Sequence, residues 1–158
     1  MRVSLDLFAQ NDWANVERLR AAAERCFLAA TGDAETAAAV AVITAELGEN
    51  ALKYGHWSGP LTTFRLQITA EGQAVRVVVE SPWSPDRSIA DLLDTLGRLA
   101  SFPTPREAVH ARMRELAACA GPSSTSRLGL LRLAYETGCA LRVEEEAELV
   151  RVIAELDV

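Results

Sequence analysis

The chain has 158 residues, 49% of them hydrophobic and 24% charged, which suffices for one domain with a sizeable core. A formal net charge of −6 argues against a general nucleic-acid binder and against binding to an anionic membrane surface. No apolar run reaches the length of a membrane span, Met1–Asp6 does not read as a signal peptide, and Cys26, Cys119 and Cys139 fit no metal-ligand spacing. Reduced, mostly buried thiols in a cytoplasmic protein are therefore expected.

Residues 2–9 alternate, with Val3, Leu5 and Leu7 set against Ser4 and Asp6, which predicts a strand. Asn11 or Asp12 caps a helix through Trp13, Val16, Leu19, Ala23, Cys26 and Phe27 that ends near Gly32. Asp33 caps a second helix from Ala34 to Tyr54, and Gly55, Gly59 and Pro60 break it. Residues 61–69 alternate, Glu71-Gly72-Gln73 is a turn and Val75–Glu80 reads as a second strand, which predicts a hairpin that Pro82 and Pro85 terminate.

Asp86 is the expected cap of a helix through Ile89, Leu92, Leu96 and Leu99. Thr104-Pro105-Arg106-Glu107 matches a capping box with proline at the first helical position, opening a helix through Val109, Met113 and Leu116. A short helix from Leu128 to Tyr135 is capped by Gly138. Two strands, 139–144 and 148–156, then flank the acidic turn Glu144-Glu145-Glu146. This order fits an α+β fold: a two-layer sandwich with a mostly antiparallel, mixed sheet and helices on one face.

Within the second helix, Glu46-Leu47-Gly48-Glu49-Asn50-Ala51-Leu52-Lys53 concentrates chemistry. At about 100° per residue, Asn50 stands roughly 40° from Glu46, Lys53 roughly 20° on the other side and Glu49 roughly 60°. The apolar set Val40, Ile43, Leu47 and Ala51 centres about 100° away. A helix of this kind has a core face and, beside it, a face bearing a base, an oxygen ligand and an amine. The plainer reading of Glu49 and Lys53 is a surface ion pair four residues apart. Asn50 is a poor helix-interior residue, because its side chain competes with the backbone.

The element order, with Glu-x-x-x-Asn-x-x-Lys on the helix before the central hairpin, resembles the GHKL superfamily of ATP-binding domains. Within that superfamily it looks most like the anti-sigma-factor serine kinases and related partner-switching regulators. Glu46–Gly55 resembles the family's N box, and Ser126-Arg127-Leu128-Gly129-Leu130 resembles its phosphate loop. The resemblance covers nearly the whole chain. It implies a Bergerat-type, histidine kinase-like fold in a single domain over 1–158, with 84–125 as a lid.

The roles it implies are these. Glu46 would be the general base, Asn50 the Mg²⁺ ligand and Lys53 a phosphate contact. Ser126, Arg127, Leu128 and Gly129 would cradle the triphosphate. The implied cofactors are ATP and Mg²⁺, and the implied activity is phosphorylation of a serine on a regulatory protein partner of the anti-sigma antagonist or sigma-factor type. A homodimer is a further expectation by analogy.

The chain departs from the family at the adenine motif. Where the family has Asp-x-Gly-x-Gly, this chain has Val79-Glu80-Ser81-Pro82-Trp83-Ser84-Pro85, so Glu80 or Ser81 would be the substitute acceptor. Its phosphate loop has one glycine. These departures motivate a rival expectation: a non-catalytic member of the fold that holds a partner without ATP. Trp57 and Trp83 are expected near the mouth of the site, as core or rim packing before ligand contact. His56 and His110 read as surface residues.

Overall fold

The computed structural model describes residues 2–83, 89–118 and 128–158. Among them five strands and five helices form, in the order β1 (Arg2–Gln10), α1 (Trp13–Thr31), α2 (Ala34–Tyr54), β2 (Thr63–Glu71), β3 (Ala74–Pro82), α3 (Ala90–Ser101), α4 (Pro105–Ala118), α5 (Leu128–Thr137), β4 (Ala140–Glu146) and β5 (Leu149–Asp157). Local chemistry sets most of these boundaries. The Asp12 side chain accepts from Ala14 N, and Asp33 accepts from both Glu35 N and Thr36 N, satisfying helix donors that have no partner inside the helix. Gly32 ends α1 in the left-handed conformation at φ 73°, which glycine adopts without steric cost. Thr104 Oγ1 accepts from Glu107 N at 3.3 Å and caps α4 as its motif predicts. The expected Asp86 cap lies outside the described residues.

The strands form one sheet in the order β1-β2-β3-β5-β4. Every pairing is antiparallel, which corrects the expected mixed sheet. The β4–β5 hairpin places its second strand beside β3. Had β4 taken that place, it would have run parallel to β3. The hairpin turn also differs from expectation. Glu144, Glu145 and Glu146 continue β4, and the chain reverses at Ala147 (φ 48°) and Glu148. Pairing extends that far because arginines neutralise the acids, Arg151 binding Glu146 and Arg142 lying 3.5 Å from Glu144.

One parity of the sheet faces the helices. Phe64, Leu66, Ile68 and Ala70 of β2, Val75, Val77 and Val79 of β3, and Val152, Ala154 and Leu156 of β5 join one core with Leu19, Ala23 and Phe27 of α1 and Val40, Ile43, Leu47 and Ala51 of α2. Burying each of the Val, Leu, Ile and Phe side chains in this set stabilises the fold by about 1.5–3 kcal/mol. Leu130 and Leu133 bring α5 into the same core. The helices therefore cover one face, giving two layers of an α+β fold.

The opposite face carries buried Val78 and Ile153 amid charged neighbours. Two residues expected in the α1 core are solvent-facing: Trp13 is 56% exposed and Cys26 is exposed. They begin and overrun the apolar stripe that Val16, Leu19, Ala23 and Phe27 bury. Cys139 is buried as expected, and Cys119 lies outside the described residues. No helix among the described residues is long and apolar enough to cross a membrane.

Candidate functional site

The C-terminal half of α2 lies over the ends of β3 and β5, and α3 and α5 close the sides. A cavity of about 480 Å³ remains between them. Its floor is a patch of sheet in which Val79 pairs with Val152 and Ser81 pairs with Val150. The polar wall comes from Glu46, Asn50 and Lys53 of α2 together with the first turn of α5 at Gly129. The apolar wall comes from Trp83, Ile89 and Leu92, with Asp91 and Thr95 beside them on α3. The volume suits a small organic ligand with one polar and one apolar part.

Glu46 and Gly129 are 83 positions apart, yet a methyl group built on Gly129 would stand 2.6 Å from Glu46 Oε2. The glycine at this point thus permits the carboxylate to reach the opening turn of α5. Burial pushes the Glu46 carboxyl above its ordinary range, and the neighbouring Glu49 pushes it further. Lys53 and Arg132 pull the other way without overcoming these. A carboxylate held toward neutrality in this way is a better proton acceptor at physiological pH.

Asn50 Nδ2 donates to the Glu46 carbonyl at 2.7 Å. That bond orients the amide and leaves Oδ1 as its outward end. One amide oxygen with one carboxylate nearby is a donor set for a hard cation that takes its other ligands from phosphate and water. Among the described residues no group of three His, Cys, Asp or Glu side chains forms a metal site by itself. Lys53 lines the cavity and also forms the surface pair with Glu49 at 3.0 Å, its Nζ lying 5.8 Å from the centre of the Trp13 ring. An anion at the polar wall would compete with Glu49 for this amine.

The two candidates on β3 separate. Ser81 is 4% exposed and lies in the cavity floor. Glu80 has the opposite parity. It points from the other face of the sheet and accepts from Arg151 Nε at 2.7 Å, so it does not contact the cavity. Glu80 as an acceptor for a bound base is therefore corrected, because neighbouring residues of a strand face opposite ways. Leu128 opens α5 but packs with Ala108, Val109 and Leu131 in a second cluster. Ser126 and Arg127 lie outside the described residues.

Trp83 is buried, lines the cavity and is fixed at two points. Its backbone N donates to Glu148 O at 2.7 Å and its Nε1 to Glu145 Oε1 at 3.1 Å. Glu145 therefore does more than solvate a turn. Trp57 instead closes the end of α2, with Nε1 donating to Leu52 O at 3.2 Å and the ring filling the space where a Gly55 side chain would stand. Sequence reasoning missed Asp91, Thr95, Val150 and Val152 as cavity residues. Thr95, a hydroxyl residue on the otherwise apolar stripe of α3, was the available signal.

No family model and no curated protein matches this sequence. The fold is similar to that of a chain in the crystal structure of the SiaB-SiaC complex from Pseudomonas aeruginosa, with a TM-score of 0.69 at 18% sequence identity. The similarity covers 96% of this chain and 88% of that one. At this identity it is the fold that the two chains share.

Proposed function

We propose that this protein is a cytoplasmic regulator with a histidine kinase-like, GHKL-type domain that binds ATP with Mg²⁺ and phosphorylates a serine of a protein partner. The observation that carries the reading is the meeting of Glu46, Asn50 and the glycine-bearing first turn of α5 at one wall of a 480 Å³ cavity. The space left by Gly129 and the oxygen donors of Asn50 and Glu46 fit a phosphate–metal group. Bound Mg²⁺ would neutralise phosphate charge. Asn50 would hold the cation through Oδ1, and α5 would offer backbone N–H groups to phosphate oxygens.

Glu46 would take the proton of the attacking serine hydroxyl, a role its raised pKa favours. The segment 84–125, including α3 and α4, would serve as the lid, since α3 already forms one wall. A protein partner is supported by the fold neighbour, which was solved as a complex of two proteins.

Thermal denaturation tests the reading. Mg-ATP at a hundred times its Kd stabilises a folded protein by about 2.7 kcal/mol, a shift of several degrees in Tm. If millimolar Mg-ATP moves the Tm of neither the wild type nor Glu46→Gln, the cavity is not a nucleotide site. One observation favours a second reading, a partner-binding module without ATP: the floor offers the neutral Ser81 where the resembled family has an acid. Partner capture that is indifferent to ATP, Mg²⁺ and Asn50→Ala would establish that reading in place of the first.

A further inference from the structure

We infer that the apolar part of this cavity accepts adenine and guanine nucleotides nearly alike, with Ser81 as the residue that removes the distinction. The inference rests on the nucleotide reading above and adds the breadth of its ligand class. Its starting point is the division of the cavity. Phosphate chemistry belongs at the wall of Glu46, Asn50 and Gly129, so a base belongs against the sheet floor and Trp83.

Among the described residues, the polar side chains that line the cavity outside the wall of Glu46, Asn50 and Lys53 are Tyr54, which is 39% exposed, Ser81, Trp83, Asp91 and Thr95. In the floor patch, Ser81 carries the hydroxyl and its neighbours Val79, Val150 and Val152 are aliphatic. The only polar atom of the Trp83 side chain, Nε1, is spent on Glu145, so the indole offers carbon surface for stacking and no edge recognition. Thr95 Oγ1 donates to Asp91 O at 2.8 Å within its own helix. Asp91 is an exposed residue of α3 at the rim.

A carboxylate in the floor would only accept hydrogen bonds. It would favour the 6-amino group of adenine, a donor, and repel the 6-oxo group of guanine, an acceptor. A serine hydroxyl donates or accepts by rotating about its C–O bond, so it satisfies either group. Discrimination of the kind that arises when a buried polar group is left unpaired is lost at this position.

Calorimetric titration of the full chain with Mg-ATP and with Mg-GTP tests this. The two Kd values of the wild type are expected to agree within about fivefold. Ser81→Ala is expected to weaken both by roughly two- to tenfold and to leave their ratio unchanged. Ser81→Asp is expected to move the ratio toward ATP by about tenfold or more. Should that variant not fold, as circular dichroism would show, the wild-type ratio and Ser81→Ala still decide the matter.

A wild-type preference for ATP beyond fivefold overturns the inference while leaving the nucleotide site intact. Loss of that preference in Asp91→Asn would assign it to the rim acid. If neither nucleotide binds the wild type, the nucleotide reading falls and takes this inference with it.

Discussion

On the helix-covered face of the sheet, Glu46 has no cation at ion-pairing distance among the described residues, and burial holds its carboxyl toward the neutral form. On the open face, Glu80 is bound by Arg151 at 2.7 Å, and Arg65 is bound by Asp6 in the same manner. The two glutamates come from elements packed against one another, α2 and β3, and end in opposite circumstances. The paired carboxylate is a structural part of a charged surface. The unpaired one stands where ionisation is costly, beside an amide oxygen and a helix N-terminus. Perturbed, unpaired groups in a cavity are where catalytic roles concentrate.

Three measurements would break or sharpen this contrast. The largest expected effect is on turnover. On the proposed function, Glu46→Gln should lower phosphoryl transfer to a protein partner by at least about a hundredfold while keeping the proposed Mg-ATP shift in Tm. Transfer at wild-type rate in that variant would end the role given to Glu46.

Next in size is stability on the other face. Glu80→Ala should leave nucleotide binding unchanged and cost about 1–2 kcal/mol in urea denaturation, because a largely covered acceptor is withdrawn from Arg151. Loss of nucleotide binding there would show that the open face communicates with the cavity.

The smallest effect is in pH dependence. The folded pKa of Glu46 lies above the ordinary value of 4.5, so ionising it is less favourable in the fold than in the unfolded chain. Its contribution to stability is full below 4.5 and is lost as pH rises through the folded pKa. Glu46→Gln should therefore melt slightly higher than the wild type at neutral pH, with the gap closing as pH falls. A constant gap across pH would mean that desolvation of the carboxylate is not the cause.

The elements themselves were legible because their signals are local. The bounds of α2 emerge as read, between the Asp33 cap and Gly55, and the capping box of α4 forms. The face of α2 was legible too: its 3.6-residue period places Glu46, Asn50 and Lys53 along the cavity and Leu47 and Ala51 against the core. The face of β3 was obscured by the run Val77-Val78-Val79, which hides the alternation. Arg76 and Glu80 share a parity, and that parity was the cue that Glu80 faces away while Ser81 faces in. The turn after β4 was misplaced because three acids in a row resemble a solvated loop until Arg142 of the same strand, Arg151 of β5 and the Trp83 indole take them as partners.

By itself the sequence determined the α+β class, the element order, the helix caps and the chemistry carried on α2. These depend on contacts within a few residues: hydrogen bonds at helix ends, periodic burial, turn geometry. Tertiary structure alone decided that β5 and not β4 lies beside β3, making the sheet wholly antiparallel. It alone set Gly129 against Glu46, placed Ser81 opposite Val150 in the cavity floor, and fixed Trp83 through Glu145 and Glu148. Such contacts join residues tens of positions apart. They form only when packing of the two layers brings α5 and β5 to the end of α2, a three-dimensional arrangement that no short-range period encodes.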